Sequence, residues 1–591
     1  MKHNFSQARD AHVASIVERT REALAVGALD VLTSDMLAQL SGRAVPELRE
    51  VALQHSEACL RGFDEARAAM AKAVIETLGN APKAISQSNA EELLSTRVYT
   101  DPGHFLIELL QNAEDAGAKH WRVIFDVDRI IVWHDGNPFD ARDLVGVTSI
   151  GQTTKRKDQI GFFGVGFKSV YEVTARPRIY SDAFQFEIAD VSVPKLLRDR
   201  PVDLPENGTV LILPLKDPND PARTPARLHA MARAIDPCVL FTLRGVDLLT
   251  IELTERVEGG PQRWEAIEEL PDERGISIIE QRPMNLRRRY VIQDDIYTYT
   301  RGKRAAGRAD STLIMVGLSL DEDGVPTPAP PESATVYSYL PTEEHSGLRF
   351  FVQGHFDVPV DRERVNPESD WNQWIVSNVP TQIHRALERV IRGEQQPGLG
   401  RGILSVLPLD REIKSAVFEP LPGKLTEELA RSGILPARDG TLRMASQLRV
   451  ASPEVCALFE PGASFPLSAL SKFGNINNDT PFWLLDETLE PREREVAIQL
   501  GARKLDFDGL VGIISHALSP EGDDSRPLAA ARAGDIELIA RIHDILLDGF
   551  EELDRTKNSL QAISLKKKMR EIALFPDSRG KLFNAATILV P

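Results

Sequence analysis

No run of 18 apolar residues occurs in this 591-residue chain, so an ordinary membrane-spanning helix is not expected. The first thirty residues carry no apolar stretch ahead of a small-residue cleavage site, which also argues against a secretory leader. Cysteine is scarce. Cys59, Cys238 and Cys456 lie too far apart for metal-ligand spacing or a disulfide framework, and such sparse use fits a reducing cytoplasm. Positive charge is also in deficit: 70 Lys and Arg stand against 87 Asp and Glu, a net −17. That balance repels phosphate backbones at long range and disfavours nucleic acid as a partner. One stretch runs the other way. Residues 282–308 hold Arg282, Arg287, Arg288, Arg289, Arg301, Lys303, Arg304 and Arg308 against Asp294 and Asp295. Solvated strand edges and a loop account for it better than a docking patch for nucleic acid or an acidic partner. What remains is an ordinary globular composition, 42% hydrophobic and 27% charged, long enough for three or four domains.

Against that background residues 104–117, HFLIELLQNAEDAG, stand out. Glu108, Asn112 and Asp115 recur at spacings of four and three, which is one face of an α-helix, with Leu106, Leu110 and Ala113 opposite. Asp101-Pro102 suits the helix start and Gly117 its stop. An amphipathic surface helix with three solvated polar residues would give the same pattern. Three further blocks follow in order: His134-Asp135-Gly136-Asn137-Pro138 after a strand-like run, then Gly161-Phe-Phe-Gly164-Val165-Gly166-Phe167-Lys168-Ser169, then Gly208-Thr209 opening another strand. The second block is neither a Walker A loop nor GxGxxG, because Phe167 separates Gly166 from Lys168 and Ser169 stands where a third glycine is needed. Its three glycines would let the backbone approach phosphates, or would simply form a turn into a buried helix. Glu108 is the candidate base or water-orienting group for hydrolysis of a γ-phosphate. Asn112 offers a neutral oxygen to Mg²⁺.

These four blocks resemble the ATP-binding domain shared by gyrase-type topoisomerases, ninety-kilodalton heat-shock chaperones, histidine kinases and MutL, the GHKL or Bergerat fold. Their form here looks most like the chaperone-like modules of sacsin and related large proteins. The resemblance is specific over residues 85–215 and looser to about residue 390. It implies an α+β sandwich with bound ATP and Mg²⁺, and a site containing Glu108, Asn112, Asp115, Asp135, Lys155, Gly161, Gly164, Val165, Gly166, Phe167, Lys168 and Thr209. In the resembled proteins the position of Asp135 reads the adenine amino group, with water and a threonine in support, here Thr209. The polar, basic segment 148–157 corresponds to a mobile lid, and Lys155 would face the phosphates. The segment His355–Val365 resembles a chaperone middle-domain loop in which an arginine before a glutamate reaches the γ-phosphate. That makes Arg362, beside Glu363, the second expected catalytic residue, with Arg364 its nearby competitor.

The expected fold class is therefore α/β: a helical region at 1–80, the GHKL module at 81–245, a mixed α/β middle domain at 246–395 and a mostly helical region at 396–591. The last contains an internal echo, Ile434-Leu-Pro-Ala-Arg-Asp-Gly440-Thr-Leu442 against Leu574-Phe-Pro-Asp-Ser-Arg-Gly580-Lys-Leu582, read as two β-hairpins. The chain ends directly after the second copy, from which a longer natural product or an adjoining partner chain is expected. Two function classes remain open: an ATP-hydrolysing conformational clamp, and a non-hydrolysing ATP-binding scaffold. A clamp implies closure between two copies and a protein client, and no membrane. Architectural analogy suggests a bacterial stress-response or antiviral defence component.

Overall fold

The structure is a computed structural model. It describes residues 57–80, 103–148, 166–201, 204–205, 207–216, 224–269, 271–272, 276–283, 286–300, 310–330, 335–359, 364–392, 398–458, 483–518 and 536–555. Short pieces at 49–50, 53–54, 573–576 and 582–584 and a few positions between 563 and 570 complete it. Of the helical region expected at 1–80, the long helix within this set is α1, Glu57–Gly79.

The chain then enters α2, His104–Asp115. Ala116 is its C-cap, and Gly117 follows with φ +76°. The Ala118 N–H donates to the Ala113 carbonyl and the Gly117 N–H to that of Glu114, the paired bonds that close a helix through a left-handed glycine. An antiparallel hairpin follows, β1 (His120–Phe125) and β2 (Arg129–His134). Next come α3 (Ala141–Thr148) and a 3₁₀ helix at Gly166–Glu172, where an α-helix had been a natural expectation after the glycines. Strands β3 (Arg178–Ser181), β4 (Phe184–Ala189), β5 (Val193–Leu196) and β6 (Thr209–Pro214) precede α4 (Pro225–Arg233). The α4 N-cap, Thr224, accepts from the Arg227 N–H, with Pro225 in the first turn.

Beyond the expected boundary at 245/246 the sheet does not break. Strand β7 (Leu248–Leu253) pairs in parallel with β1, from His120–Leu248 to Phe125–Leu253. Antiparallel pairing continues through β8 (Gln262–Glu269), β9 (Ile276–Arg282), β10 (Leu286–Thr298) and β11 (Ser311–Leu320). The short strands β12 (Pro326–Thr327), β13 (Val336–Ser338), β14 (Leu340–Pro341) and β15 (Phe351–Gln353) complete one mixed 15-stranded sheet. Strand β8 was not anticipated, since five of the eight residues of its sequence, QRWEAIEE, are polar and only Ala266 is buried.

Among the described residues two large cores cover this sheet, and a small cluster of Ile131, Tyr180, Leu204, Val210 and Ile212 lies apart from them. The first joins Phe63 and Ile75 of α1 and Phe105, Leu106 and Leu110 of α2 to Val123, Phe125, Ile130, Val132, Leu211 and Leu213. The second packs β11 against α5 (Asp370–Arg392) and the segments after it. Both echo segments are antiparallel hairpins, Leu435–Pro436 with Leu442–Arg443 and Ala573–Pro576 with Leu582–Asn584. No helix among the described residues is long and apolar enough to cross a membrane.

Candidate functional site

Helix α2 is almost wholly interior: nine of its twelve residues are buried, among them Gln111 and Glu114. The three that are not fully buried are Glu108, Asn112 and Asp115, each half-buried. A surface helix would expose a broad face. Here a single stripe at i, i+4 and i+7 opens on an otherwise buried rod, and it coincides with the three polar positions singled out from the sequence. Glu114, which the spacing argument passed over, serves the fold. Its carboxylate accepts from the backbone N–H groups of Arg244, Gly245 and Val246 at 2.7, 3.1 and 3.1 Å, tying α2 to the approach of β7.

At the open stripe, Glu108 lies directly against the backbone of Gly166. A Cβ on Gly166 would overlap the Glu108 Oε2 position, so only glycine allows this approach. The first residue of the 3₁₀ helix and the candidate base are thus brought together. Its neighbours turn inward. The Phe167 ring is buried in the first core. The Lys168 ammonium is also buried and donates to the carbonyl oxygens of Val147 and Val191 at 2.9 and 2.6 Å, lying 5.7 Å from the centre of the Tyr171 ring. Lys168 therefore ties the end of α3 to the 191 loop. The resemblance places Lys168 in the cofactor-binding set; here its ammonium meets these two main-chain oxygens.

The DGNPF motif behaves similarly. Asp135 is exposed, and its Oδ1 accepts from the N–H groups of Lys119 and His120 at 2.8 and 2.9 Å. Asn137 donates to the Ala116 carbonyl through both its backbone N–H and its Nδ2, each at 2.9 Å. Gly136 packs so tightly on Ala116 and Ala118 that a Cβ would stand 3.0 Å from their backbone atoms. The motif docks the end of β2 onto the end of α2.

The residue in register with Thr209 is instead His134, one position earlier. On the other side of Thr209, in β3, stands Ser181. His134, Thr209 and Ser181 thus form a row across three adjacent strands. They continue the phases of Ile130 and Val132, Leu211 and Leu213, and Ile179, all members of the core beneath the helices. A buried apolar sheet face therefore ends in three buried polar side chains, 5%, 0% and 0% exposed. The two hydroxyls bond each other at 2.6 Å, and Ser181 Oγ also accepts from the Phe139 N–H at 2.9 Å. His134 Nδ1 accepts from the Gly136 N–H at 3.2 Å. Burial, only partly offset by the charge of Asp135, lowers the imidazole pKa to about 4, so the ring is neutral near pH 7. The sequence signal for His134 and Ser181 was available: each is a polar residue on the buried phase of an alternating strand.

Lys155, Gly161, Gly164, Val165 and Arg362 lie outside the described residues. The stretch before Arg362 is held on α5: Trp371 Nε1 donates to the His355 carbonyl at 2.7 Å and Ser369 Oγ to Asp357 Oδ2 at 2.9 Å. After it, the Val365 N–H donates to Glu344 Oε2 at 2.6 Å. Where the basic stretch is described, Arg282 pairs with Glu280, Arg287 with Glu269 and Arg288 with Asp236, while Arg289 donates to the Glu322 carbonyl.

Residues 91–200, which contain α2, the hairpin and the 3₁₀ helix, match the family model described as the Sacsin domain. The module resembles the sacsin domain. The chain is 25% identical over 394 residues to Protein NO VEIN of Arabidopsis thaliana, an alignment covering 58% of this chain and 13% of that protein. To sacsin of Homo sapiens it is 33% identical over 104 residues, 14% of this chain and 2% of that one. The chain thus corresponds to a small part of each relative's length. A solved structure titled "Crystal Structure of N terminal domain of a DNA repair protein" aligns with 47% of this chain and 92% of its own at 13% identity, and its TM-score of 0.30 carries no weight for the fold.

Proposed function

We propose that the sacsin-like module binds ATP and hydrolyses it with Mg²⁺, as the engine of a conformational clamp. The observation that carries this reading is the meeting of Glu108 with Gly166 at the one open stripe of a buried helix. A carboxylate brought against a glycine backbone, with the half-buried amide of Asn112 one turn along the same stripe, offers a candidate base and a neutral oxygen ligand. Glu108 orients the attacking water and takes its proton. The buried polar row of His134, Thr209 and Ser181 closes the apolar sheet face of the same module.

Mg²⁺ fits this donor set. Among the described residues no group of three or more His, Cys, Asp or Glu could cage a metal ion. A single neutral oxygen from Asn112 suits a cation that keeps its waters and is held mainly by substrate phosphates. When bound, the ion neutralises charge on those phosphates. Continuity of the sheet from the module into β8–β11 gives nucleotide state a mechanical route to the rest of the chain. Closure between two copies around a protein client is the corresponding assembly.

Phosphate release by the full chain, with and without Mg²⁺, tests the reading. Glu108→Ala should keep nucleotide affinity and lose turnover by about two or more orders of magnitude. Binding without any release in the unaltered chain would leave a nucleotide-locked scaffold as the function. Unchanged turnover in the variant would remove Glu108 from the chemistry. Asn112→Ala should abolish the Mg²⁺-dependent part of binding and leave the metal-independent part.

A further inference from the structure

Helix α5 carries His384 beside Ile383 and Leu387, both fully buried in the second core. The helix Leu421–Leu429 packs against it, with Leu425 and Leu429 in the same core. Just past its end the Ser432 N–H donates to the Leu429 carbonyl at 3.0 Å, which fixes the turn that carries Ser432. Three side chains meet at this rim. His384 Nδ1 lies 3.2 Å from Glu428 Oε1, and His384 Nε2 lies 2.8 Å from Ser432 Oγ. An ionised carboxylate only accepts, so Glu428 keeps the proton of the neutral ring on Nδ1 and leaves Nε2 to accept from the hydroxyl. Glu388, one turn further along α5, stands 3.8 Å from Nε2 and pairs with Arg392 at 3.3 Å. Glu114 and Lys168 bond main-chain groups and so tie elements together. Among the described residues none of the side chains of His384, Glu428 and Ser432 does this; they bond one another. The histidine and glutamate side chains are 26% and 35% exposed, so a reactant reaches the cluster from solvent rather than through a cavity. Gly433, next to the serine, is exposed, and its N–H meets no acceptor among the described residues.

We propose that Ser432, His384 and Glu428 act as nucleophile, base and positioning carboxylate in acyl transfer from small carboxylic esters to water. This activity is independent of the nucleotide reading, which concerns the first core. As Ser432 Oγ bonds to the carbonyl carbon, its proton passes to His384 Nε2, and the Glu428 carboxylate holds the imidazolium that forms. The Gly433 N–H is a main-chain donor for the oxyanion. The bond to the alcohol then breaks, and the alcohol leaves with the proton from Nε2. Water attacks the acyl-serine and gives a proton to Nε2. The acid departs as the Oγ–acyl bond breaks, and Oγ takes that proton back. Ester and water thus become acid and alcohol, and the three side chains return to their starting state.

The experiment exposes the full chain to a fluorophosphonate, whose phosphorus a nucleophilic serine attacks with loss of fluoride, and follows intact mass and the modified peptide. A single label on Ser432 is expected, together with release of 4-nitrophenol from 4-nitrophenyl acetate. Ser432→Ala should abolish the label and bring ester cleavage down to the rate in buffer. His384→Ala should slow labelling by about two or more orders of magnitude. Glu428→Gln keeps the shape of the side chain and loses its charge. It should lower the maximal labelling rate and leave the half-saturating probe concentration unchanged, a split that loosened packing would not give. Absence of label on Ser432 in the unaltered chain would overturn the proposal. So would labelling of Ser432 that is equally fast in His384→Ala, because the imidazole would then not activate the hydroxyl, or ester cleavage that persists in Ser432→Ala. If His384→Ala does not fold, the position of the label on the unaltered chain and the loss of ester cleavage in Ser432→Ala still decide.

Discussion

One continuous sheet carries two polar regions and treats them in opposite ways. On β8–β10 the arginines are numerous, exposed and neutralised: the side chains of Arg282 and Arg287 are 55% and 48% exposed and pair with Glu280 and Glu269. At the ends of β2, β6 and β3 the polar groups are few and uncharged, and all three are buried on an apolar face. The charge-rich region catches the eye in a sequence, yet each described arginine there has a partner, and none is fully buried. The second region contains a histidine and two hydroxyls and would pass for ordinary strand, but burial gives each unmet hydrogen bond a real cost. Desolvation with incomplete pairing, rather than density of charge, distinguishes a site from a solvated edge.

The comparison can be broken most forcefully at the open stripe beside the buried row. Gly166→Ala adds a methyl group where Glu108 Oε2 lies, so the carboxylate must move. Phosphate release should drop by about two orders of magnitude, as for removal of the base itself; unchanged turnover would mean that the contact has no catalytic weight. The buried row is probed next by pH. Folded His134 binds a proton only below about 4, against about 6.5 for an exposed imidazole. Between those values the unfolded chain holds more protons, so stability is complete above about pH 6.5 and falls as the pH drops towards 4. The loss attributable to this ring amounts to ~3 kcal/mol. Denaturant titrations of the unaltered chain and of His134→Gln across pH 4–7 should differ by that slope, and parallel curves would place the ring in water.

Smaller effects sharpen the contrast. Asp135→Ala removes the acceptor of two backbone N–H groups at an exposed position, which should cost about 1 kcal/mol of stability in denaturant titration. Unchanged stability would mean that water replaces the carboxylate at no cost. Smallest of all is Arg287→Ala, which breaks an exposed pair and should change stability by less than about 1 kcal/mol, without effect on nucleotide binding. A marked loss of affinity there would make the exposed arginines part of a site.

The sequence by itself determined the local pieces of this protein. The 3.6-residue period of 104–115 and the glycine after it define α2, and the apolar run 130–133 after the turn at Asp128-Arg129 defines the hairpin, because both rest on contacts between residues close along the chain. Glu108 and Asn112 were legible for the same reason: spacings of three and four fix a shared helix face without reference to the rest of the fold. Only the tertiary structure decided what each polar group does once the pieces meet. Lys168 and Asp135 carry charge and sit in promising motifs, yet Val147, Val191, Lys119 and His120 claim them, and those partners come from other elements. His134 and Ser181 gain their place through pairing of β2 and β3 with β6 across 75 and 28 residues of chain. The physical reason is the range of the interactions. Periodicity records which face a residue takes, whereas hydrogen-bond partnership and desolvation depend on strands and helices that the chain brings together only on folding.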